Sequence, residues 1–178
     1  MTEIVVLVDE QDQPIGTAEK MAAHQQGLLH RAFSVFVVRK AGTEYEVLLQ
    51  QRNADKYHCG GLWTNTCCSH PRVNEEIVEA AQRRLQEEMG LQLNLHKLGS
   101  FIYKAEFANS LIEHEYDHVL LGFYNDESIN INPDEVQKFT GMLLSELEDS
   151  LMMKPELYTP WLQPALAVVQ TSLAEIYE

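Results

Sequence analysis

The sequence has no long apolar run, no disulfide framework and little positive charge. No stretch of about eighteen or more apolar residues occurs, which argues against a membrane-spanning helix. The first residues, from Met1 to Ile4, have neither the basic nor the apolar segment of a signal peptide. Three cysteines, of which Cys67 and Cys68 are adjacent, are a poor disulfide set and favour a reducing compartment. We therefore expect a cytoplasmic protein of bacterial type.

Basic residues are scarce, since 13 Lys and Arg stand against 27 Asp and Glu for a net charge of −14. Such a field repels nucleic acid and anionic membrane surfaces, so we expect neither as a partner. An anionic small molecule would need metal ions and a few gathered cations to bind here.

The 178 residues are close to the length of one domain, roughly 150 residues, and the 45% hydrophobic content can supply a core. We find no internal repeat or linker and expect a single α/β (α+β) domain over residues 1–178. Local patterns predict helix from Asn74 or Glu75 to Gly90, from Pro133 onward with Ser145 as a cap, and from about Pro160 to Tyr177. They predict strands at Ile4 to Val8, Phe33 to Arg39, Tyr45 to Gln51, Leu98 to Phe107 and Glu115 to Asn125.

Two short motifs place reactive side chains two residues apart. Cys68-Ser69-His70 offers a thiol and an imidazole, and Glu113-His114-Glu115 offers two carboxylates. In a strand, residues two apart project to the same side, so each motif can direct both groups into one cleft. This combination favours proton chemistry.

The helix after Glu75 carries Arg83-Arg84-Leu85-Gln86-Glu87-Glu88-Met89-Gly90-Leu91 and resembles the Nudix box, which holds divalent metal against a diphosphate. Ser69 stands where the box opens with glycine, and Arg84 stands where the hydrolases carry a metal-binding glutamate. A guanidinium at that position removes an oxygen ligand and adds positive charge, which disfavours activation of a hydrolytic water. Arg84 and Glu88 also have the spacing of an ordinary surface ion pair, and the residues alone leave both interpretations open.

Three imidazoles and two carboxylates are candidates for one divalent-metal site. Mixed nitrogen and oxygen ligands suit zinc or manganese better than magnesium, and two carboxylates balance one dication. Spacing alone does not bring these segments together, and we interpret His58, His96, His114 and His118 as ordinary hydrogen-bonded residues. The candidate ligands are His24, His30, His70, Glu113 and Glu115.

The chain resembles the type 1 isopentenyl diphosphate isomerases over nearly its whole length. The matching segments are Lys20 to His24, Trp63 to Pro71, Glu113 to Glu115 and Pro160-Trp161, in the family's order. The resemblance implies a Nudix-like mixed β-sheet packed between helices, the five-ligand metal site, and an N-terminal extension, residues 1–30, that contributes metal ligands.

The implied reaction interconverts isopentenyl and dimethylallyl diphosphate, in isoprenoid biosynthesis, by proton addition and removal through a tertiary carbocation. By similarity Cys68 and Glu115 are the acid and the base. Cys68 matches the family's Cys-x-His-Pro, whereas Cys67 would point the other way into the core. The ring of Trp161 would face the forming cation, and Tyr103 would polarise the glutamate side.

The resemblance also implies how the diphosphate is held. A magnesium ion bound by Glu88 and the backbone carbonyl of Cys68 would bridge the phosphate oxygens. The expected cofactors are therefore Mg²⁺ and one further divalent metal, Zn²⁺ or Mn²⁺, and the expected partner is a small-molecule diphosphate. The matching cations are Lys20, Arg52, Lys56 and Arg84.

Two rival hypotheses remain at this point. One is a Nudix hydrolase of a nucleoside diphosphate derivative. The other is a non-enzymatic binding module in which Cys68, His70 and Glu115 hold a structural metal. The sequence does not set the oligomeric state, for which a monomer is favoured.

Overall fold

The computed structural model describes residues 2–176, and the strands in that range form one mixed sheet. Four α-helices accompany the sheet: α1 (Lys20–Gln26), α2 (Ile77–Met89), α3 (Leu144–Met153) and α4 (Leu162–Ile176). The strands are β1 (Ile4–Val8), β2 (Pro14–Glu19), β3 (His30–Ala41), β4 (Glu44–Arg52), β5 (Trp63–Thr64), β6 (Cys67–Ser69), β7 (His96–Glu106), β8 (Ile112–Phe123) and β9 (Val136–Leu143).

Strand β3 is the centre of the sheet. It pairs in parallel with β8, so that His30 lies beside Glu115, and antiparallel with β6, so that Ser34 lies beside Cys68. Its seven residues from Ala32 to Val38 are all buried. Two strands that carry chemistry-bearing motifs therefore lie next to the same buried strand.

The two faces of the sheet bury separate hydrophobic clusters. On one face, Ile77, Ala81 and Leu85 of α2 pack at the spacing that the sequence predicts. On the other face, α4 and Leu147 of α3 pack against β3, β4 and β8. Helices on both faces of a mixed sheet confirm the predicted α/β fold class. Within residues 2–176, no helix is both long enough and apolar enough to cross a bilayer.

The helix predicted from Pro133 onward is wrong in its first part, because residues 136–143 form strand β9 along the edge of β4. Asp134 and Glu135 suggested a helix start, but the free edge of β4 offers backbone partners that outweigh local propensity. The hairpin strand β2 was also not predicted.

Two helix starts differ from prediction. Helix α2 begins at Ile77, because Asn74 has a φ of 63°, outside the helical region. Helix α3 begins at Leu144, so that Ser145 lies inside its first turn rather than at the cap. The α2 end is as predicted, with Gly90 left-handed at a φ of 69°. The last helix is described to Ile176, and Tyr177 lies outside the described residues.

Candidate active site

A cleft of about 250 Å³ lies where β3, β6, β8 and α2 meet, and most of the predicted site residues line it. Cys68 on β6 and Glu115 on β8 both open into this cleft. Among the predicted residues, His24, His30 and Tyr103 do not line it. The predicted residues that do are Lys20, Arg52, Lys56, Cys68, His70, Arg84, Glu88, Glu113, Glu115 and Trp161.

Strand β8 delivers a row of acids to the cleft. Glu113, Glu115 and Asp117 alternate along the strand, and all three line the cleft although none is more than 5% exposed. The two-residue repeat of an extended strand sends all three to the same side. Asp117 was not singled out from the sequence; its Oδ2 accepts a hydrogen bond from Ser34 Oγ at 2.8 Å.

In each of two buried histidines, one ring nitrogen contacts a backbone carbonyl. His24 Nδ1 lies 2.6 Å from the carbonyl oxygen of Lys20, and His30 Nδ1 lies 2.9 Å from that of Leu28. A carbonyl only accepts, so each Nδ1 carries a proton, and in the neutral imidazole the lone pair is then on Nε2. His24 Nε2 is buried without a hydrogen-bond partner among the described residues. In metal-binding histidines, the ring nitrogen that does not contact the metal commonly donates to such a carbonyl oxygen.

The remaining predicted ligands gather around His30. Its Nε2 lies 3.3 Å from His70 Nε2 and 3.5 Å from Glu115 Oε2, and His70 Nε2 lies 2.8 Å from the same oxygen. Ligand atoms of His30, His70 and Glu115 thus converge within 4.8 Å of one another. The spacing of these segments along the chain did not reveal this convergence.

His58, interpreted above as an ordinary hydrogen-bonded residue, lies beside one of the predicted ligands. Its Nε2 lies 3.0 Å from Glu113 Oε2, and ligand atoms of His24, His58 and Glu113 converge within 4.8 Å. The predicted ligands therefore fall into two adjoining triads, one of which includes His58. No local signal marks it, because His58 lies in an irregular loop between β4 and β5.

The pKa values of the two glutamates of β8 shift in opposite directions. Burial raises the pKa of Glu113 to about 7, and the neighbouring Glu115 carboxylate adds to this effect. Burial also acts to raise the pKa of Glu115, but hydrogen bonds from Glu113 and His30 outweigh it and leave that pKa below its ordinary value. In the metal-free site the proton therefore resides on Glu113, because like charges this close disfavour double ionisation.

Cys68 lies between a donor and an acceptor. The indole N–H of Trp161 donates to Cys68 Sγ at 3.1 Å, and Cys68 Sγ lies 3.0 Å from Asn65 Oδ1. Burial, together with the nearby Asp117 carboxyl, raises the pKa of the Cys68 thiol to about 12. Cys67 is fully buried in the core cluster, as expected, and its thiol donates to Glu88 Oε2 at 3.2 Å.

The four predicted phosphate-binding cations all reach the cleft. Lys20 pairs with Glu3 at 3.1 Å, Lys56 pairs with Glu135, and the guanidinium of Arg52 lies 5.4 Å from the ring centre of Trp161. In a chain of net charge −14, these four cations are gathered at one cleft, whose lining also includes carboxylates.

The resemblance to the Nudix box has structural counterparts on α2. Glu75 accepts from Arg83 at 2.8 and 2.9 Å, which fastens the preceding loop to the helix. Arg84 donates to Glu88 at 3.1 Å, so the predicted ion pair exists, but Glu88 is only 4% exposed and lines the cleft. The pair is therefore part of the cleft wall as well as of the helix.

Tyr103 lies behind the glutamates. It is opposite Glu115 in the β7–β8 ladder, a position that brings side chains to within about 5 Å. Its ring centre lies 6.3 Å from that of Trp161, and its buried hydroxyl has no hydrogen-bond partner among the described residues.

A protein-family comparison matches the NUDIX domain to residues 28–163. The chain is 49% identical to "Isopentenyl-diphosphate Delta-isomerase 2" of Aromatoleum aromaticum, over 93% of this chain and 86% of that relative. It is 47% identical to "Isopentenyl-diphosphate Delta-isomerase" of Photobacterium profundum over 97% of each.

Solved structures are similar at much lower identity. A protein from Deinococcus radiodurans superimposes with a TM-score of 0.74 at 18% identity, over 94% of this chain and 98% of that one. The MutT protein from Methanosarcina mazei gives a TM-score of 0.63 at 16% identity, over 81% and 95%. At such identities the likeness establishes the fold alone.

Proposed function

We infer that the cleft interconverts isopentenyl diphosphate and dimethylallyl diphosphate, because the chain belongs to the isopentenyl-diphosphate Delta-isomerase family of NUDIX-domain proteins. The reaction is an allylic isomerisation in isoprenoid biosynthesis. The rival activity, hydrolysis of a nucleoside diphosphate derivative, would need a carboxylate ligand where this chain has Arg84.

The observation that carries the residue assignment is that Cys68 and Glu115 open into the same cleft. One of them delivers a proton to the terminal alkene carbon, which leaves a tertiary cation at the branched carbon. The other removes a proton from the adjacent methylene group, so that the double bond moves and no net charge is gained. The two groups come from strands on either side of β3, which suits an acid and a base that face opposite sides of a flat hydrocarbon.

The residues around Glu115 fit a bound divalent cation. Two imidazoles whose Nδ1 atoms face backbone carbonyls, a third imidazole and two buried carboxylates are a donor set that suits zinc or manganese. Such a cation would acidify and orient a proton on the glutamate side. We assign it to His24, His30, His70, Glu113 and Glu115. His24 and His30 make residues 1–30 an extension that completes this site.

The diphosphate end is assigned to the cations of the cleft. Arginine grips phosphate oxygens bidentately, whereas lysine supplies a compact charge. Glu88 and the Cys68 backbone carbonyl are the assigned ligands of a magnesium ion between protein and diphosphate. The assigned cations are Lys20, Arg52, Lys56 and Arg84.

Two aromatic residues complete the proposed site. The indole of Trp161 lies against Cys68 Sγ, so its ring face is the assigned stabiliser of the carbocation. Tyr103, opposite Glu115, is assigned to polarise that carboxyl group by hydrogen bonding. The free thiols of the chain and the need for a reduced Cys68 support a cytoplasmic location.

The test is incubation with isopentenyl diphosphate in deuterated water with magnesium and a reductant. Isomerisation incorporates solvent deuterium without phosphate release, whereas hydrolysis releases phosphate. Phosphate release without deuterium incorporation would overturn the proposed function.

Replacement of the thiol tests the residue roles. We expect Cys68→Ser to fold and retain metal but to lose activity by several orders of magnitude, because a hydroxyl is a much poorer proton donor or acceptor here. Cys59→Ser, a change at a cysteine outside the cleft lining, is the matched control and should stay active. If Cys68→Ser instead unfolds or loses its metal, the binding-module hypothesis gains.

A further inference from the structure

We propose that Asn65 is a positioning residue that fixes the sulfur of Cys68 through its amide oxygen. This inference rests on the proposed acid–base role of Cys68. Asn65 is fully buried between β5 and β6 and does not line the cleft, so it acts through Cys68 and not on the substrate.

The amide of Asn65 has only one possible orientation. Its Nδ2 donates to the backbone carbonyls of Val35 at 3.0 Å and Cys67 at 2.9 Å. A flipped amide would put its oxygen against two carbonyl oxygens, where neither side can donate. The atom that faces Cys68 is therefore the oxygen Oδ1, which only accepts.

A short chain of hydroxyls supports that oxygen. Thr64 Oγ1 donates to Asn65 Oδ1 at 2.9 Å, and Thr159 Oγ1 donates to Thr64 Oγ1 at 2.8 Å. The remaining donor at Asn65 Oδ1 is the Cys68 thiol at 3.0 Å. Each group in this chain has a defined direction, since every hydroxyl hydrogen is already assigned to an acceptor.

The sulfur is thus held from two sides. Asn65 Oδ1 takes the S–H, and the indole N–H of Trp161 approaches the sulfur from another direction at 3.1 Å. A side chain with one rotatable bond that is held by two contacts cannot swing out of the cleft wall. Such fixed placement is what a proton transfer to or from carbon requires, because small displacements of the reacting groups cost large factors in rate.

The central test compares Asn65→Ala with Thr66→Val. Both residues are fully buried neighbours whose side chains each satisfy two backbone groups, but the Thr66 hydroxyl contacts Val37 and Leu48 and not the sulfur. We expect Asn65→Ala to lower kcat about 10- to 100-fold with a nearly unchanged KM for isopentenyl diphosphate. We expect Thr66→Val to lower the melting temperature without a comparable loss of kcat.

Infrared spectroscopy gives a readout that a purely structural role would not move. The S–H stretch of Cys68, isolated by subtraction of the Cys68→Ala spectrum, should shift to higher frequency in Asn65→Ala, because the acceptor is lost. It should not shift in Thr66→Val. A kcat within twofold of wild type together with an unmoved S–H band would overturn the inference.

A second pair keeps the inference testable if Asn65→Ala does not fold. Thr64→Val removes the hydroxyl that donates to Asn65 Oδ1 and also lies 3.8 Å from Cys68 Sγ, whereas Thr64→Ser retains that hydroxyl. We expect the valine variant to lose kcat severalfold and the serine variant to retain it; equal kcat values in the two variants would contradict the inference. An active Cys68→Ser protein would instead contradict the proposed acid–base role of Cys68, while the S–H band of the native thiol would still report the Asn65 contact.

Discussion

At the scale of single residues, the surroundings of Cys68 favour the neutral thiol in the substrate-free protein. Burial in the cleft wall raises its pKa to about 12, well above the ordinary value of about 8.5. The neutral amide oxygen of Asn65 and the buried Asp117 carboxyl offer a thiolate no compensation. The thiol proton is therefore retained at neutral pH in the substrate-free protein.

This environment predicts a distinctive pH dependence of alkylation. Only the thiolate reacts, so modification of Cys68 by iodoacetamide should still be rising at pH 10. Mass spectrometry of the Cys68 peptide from pH 7 to 10 measures this directly. A plateau near pH 8 would mean that a nearby cation stabilises the thiolate and that the argument from burial is wrong.

Trp161 offers an N–H to Cys68 and a ring face to the proposed carbocation, and two substitutions can separate these effects. Trp161→Phe removes the N–H that donates to Cys68 Sγ but keeps an aromatic face, whereas Trp161→Ala removes both. A cation over a desolvated ring is worth about 2 kcal/mol, so we expect alanine to cost roughly 30-fold more in kcat than phenylalanine. Steady-state kinetics decide the question, and near-normal turnover of the alanine variant would exclude the cation-face role.

At the scale of elements, helix α2 resembles the Nudix box but carries the cation Arg84 in place of a carboxylate. Arg84 occupies the cleft wall and donates to both Glu87 and Glu88, at 2.7 and 3.1 Å. A carboxylate at position 84 would place three negative charges within one turn and would remove one of the four cations assigned to the diphosphate.

We therefore predict that Arg84→Glu loses isomerase kcat/KM by about tenfold or more, mainly through a higher KM, since one charge-assisted phosphate contact is removed. Arg84→Lys keeps the charge and is the matched control. Kinetics with isopentenyl diphosphate and a parallel phosphate-release assay measure both effects. An Arg84→Glu protein with unchanged KM would show that this guanidinium does not bind the diphosphate.

The sequence predicted best those elements whose cause is local. Strand β4 follows from its short apolar run and helix α2 from the spacing of Ile77, Ala81 and Leu85, and Gly90 ends the helix through its own backbone freedom. Strand β9 was not predicted because it forms by pairing with β4, which is distant in sequence. The contact between His58 and Glu113 could not be predicted for the same kind of reason, since only the folded loop brings the two residues together.

At the scale of the whole molecule, the predicted metal ligands join segments that are distant in sequence. They come from α1, from the start of β3, from the residue after β6 and from β8. A cation that binds only the folded chain stabilises it, by about 4 kcal/mol at a thousandfold excess over Kd. For a chain of this length we expect chelation to lower the melting temperature by about 8 to 16 °C, and zinc or manganese to restore it. Differential scanning calorimetry with and without added metal tests this, and an unchanged melting temperature would contradict a resident cation.

Metal affinity should also fall in acid. The metal-free site holds a proton on Glu113 below its pKa of about 7, and a bound cation requires that proton to leave. Each unit of pH below 7 should therefore raise the metal Kd by about tenfold for one displaced proton. Titrations between pH 5.5 and 8 measure the slope, and a flat profile would mean that Glu113 is not a ligand. Glu113→Gln is the control: it lacks this proton, so its slope should be shallower by one proton, and any slope that remains comes from His30, whose pKa Glu115 raises.

Strand β3 pairs in parallel with β8, which the ribosome synthesises much later. His30 leaves the exit tunnel long before its neighbour Glu115 has been synthesised. A nascent chain that stops before β8 thus has imidazoles without their carboxylates, and we expect it to acquire no catalytic cation. Loading of the proposed cation must then follow translation of Glu115, that is, of nearly two-thirds of the polypeptide.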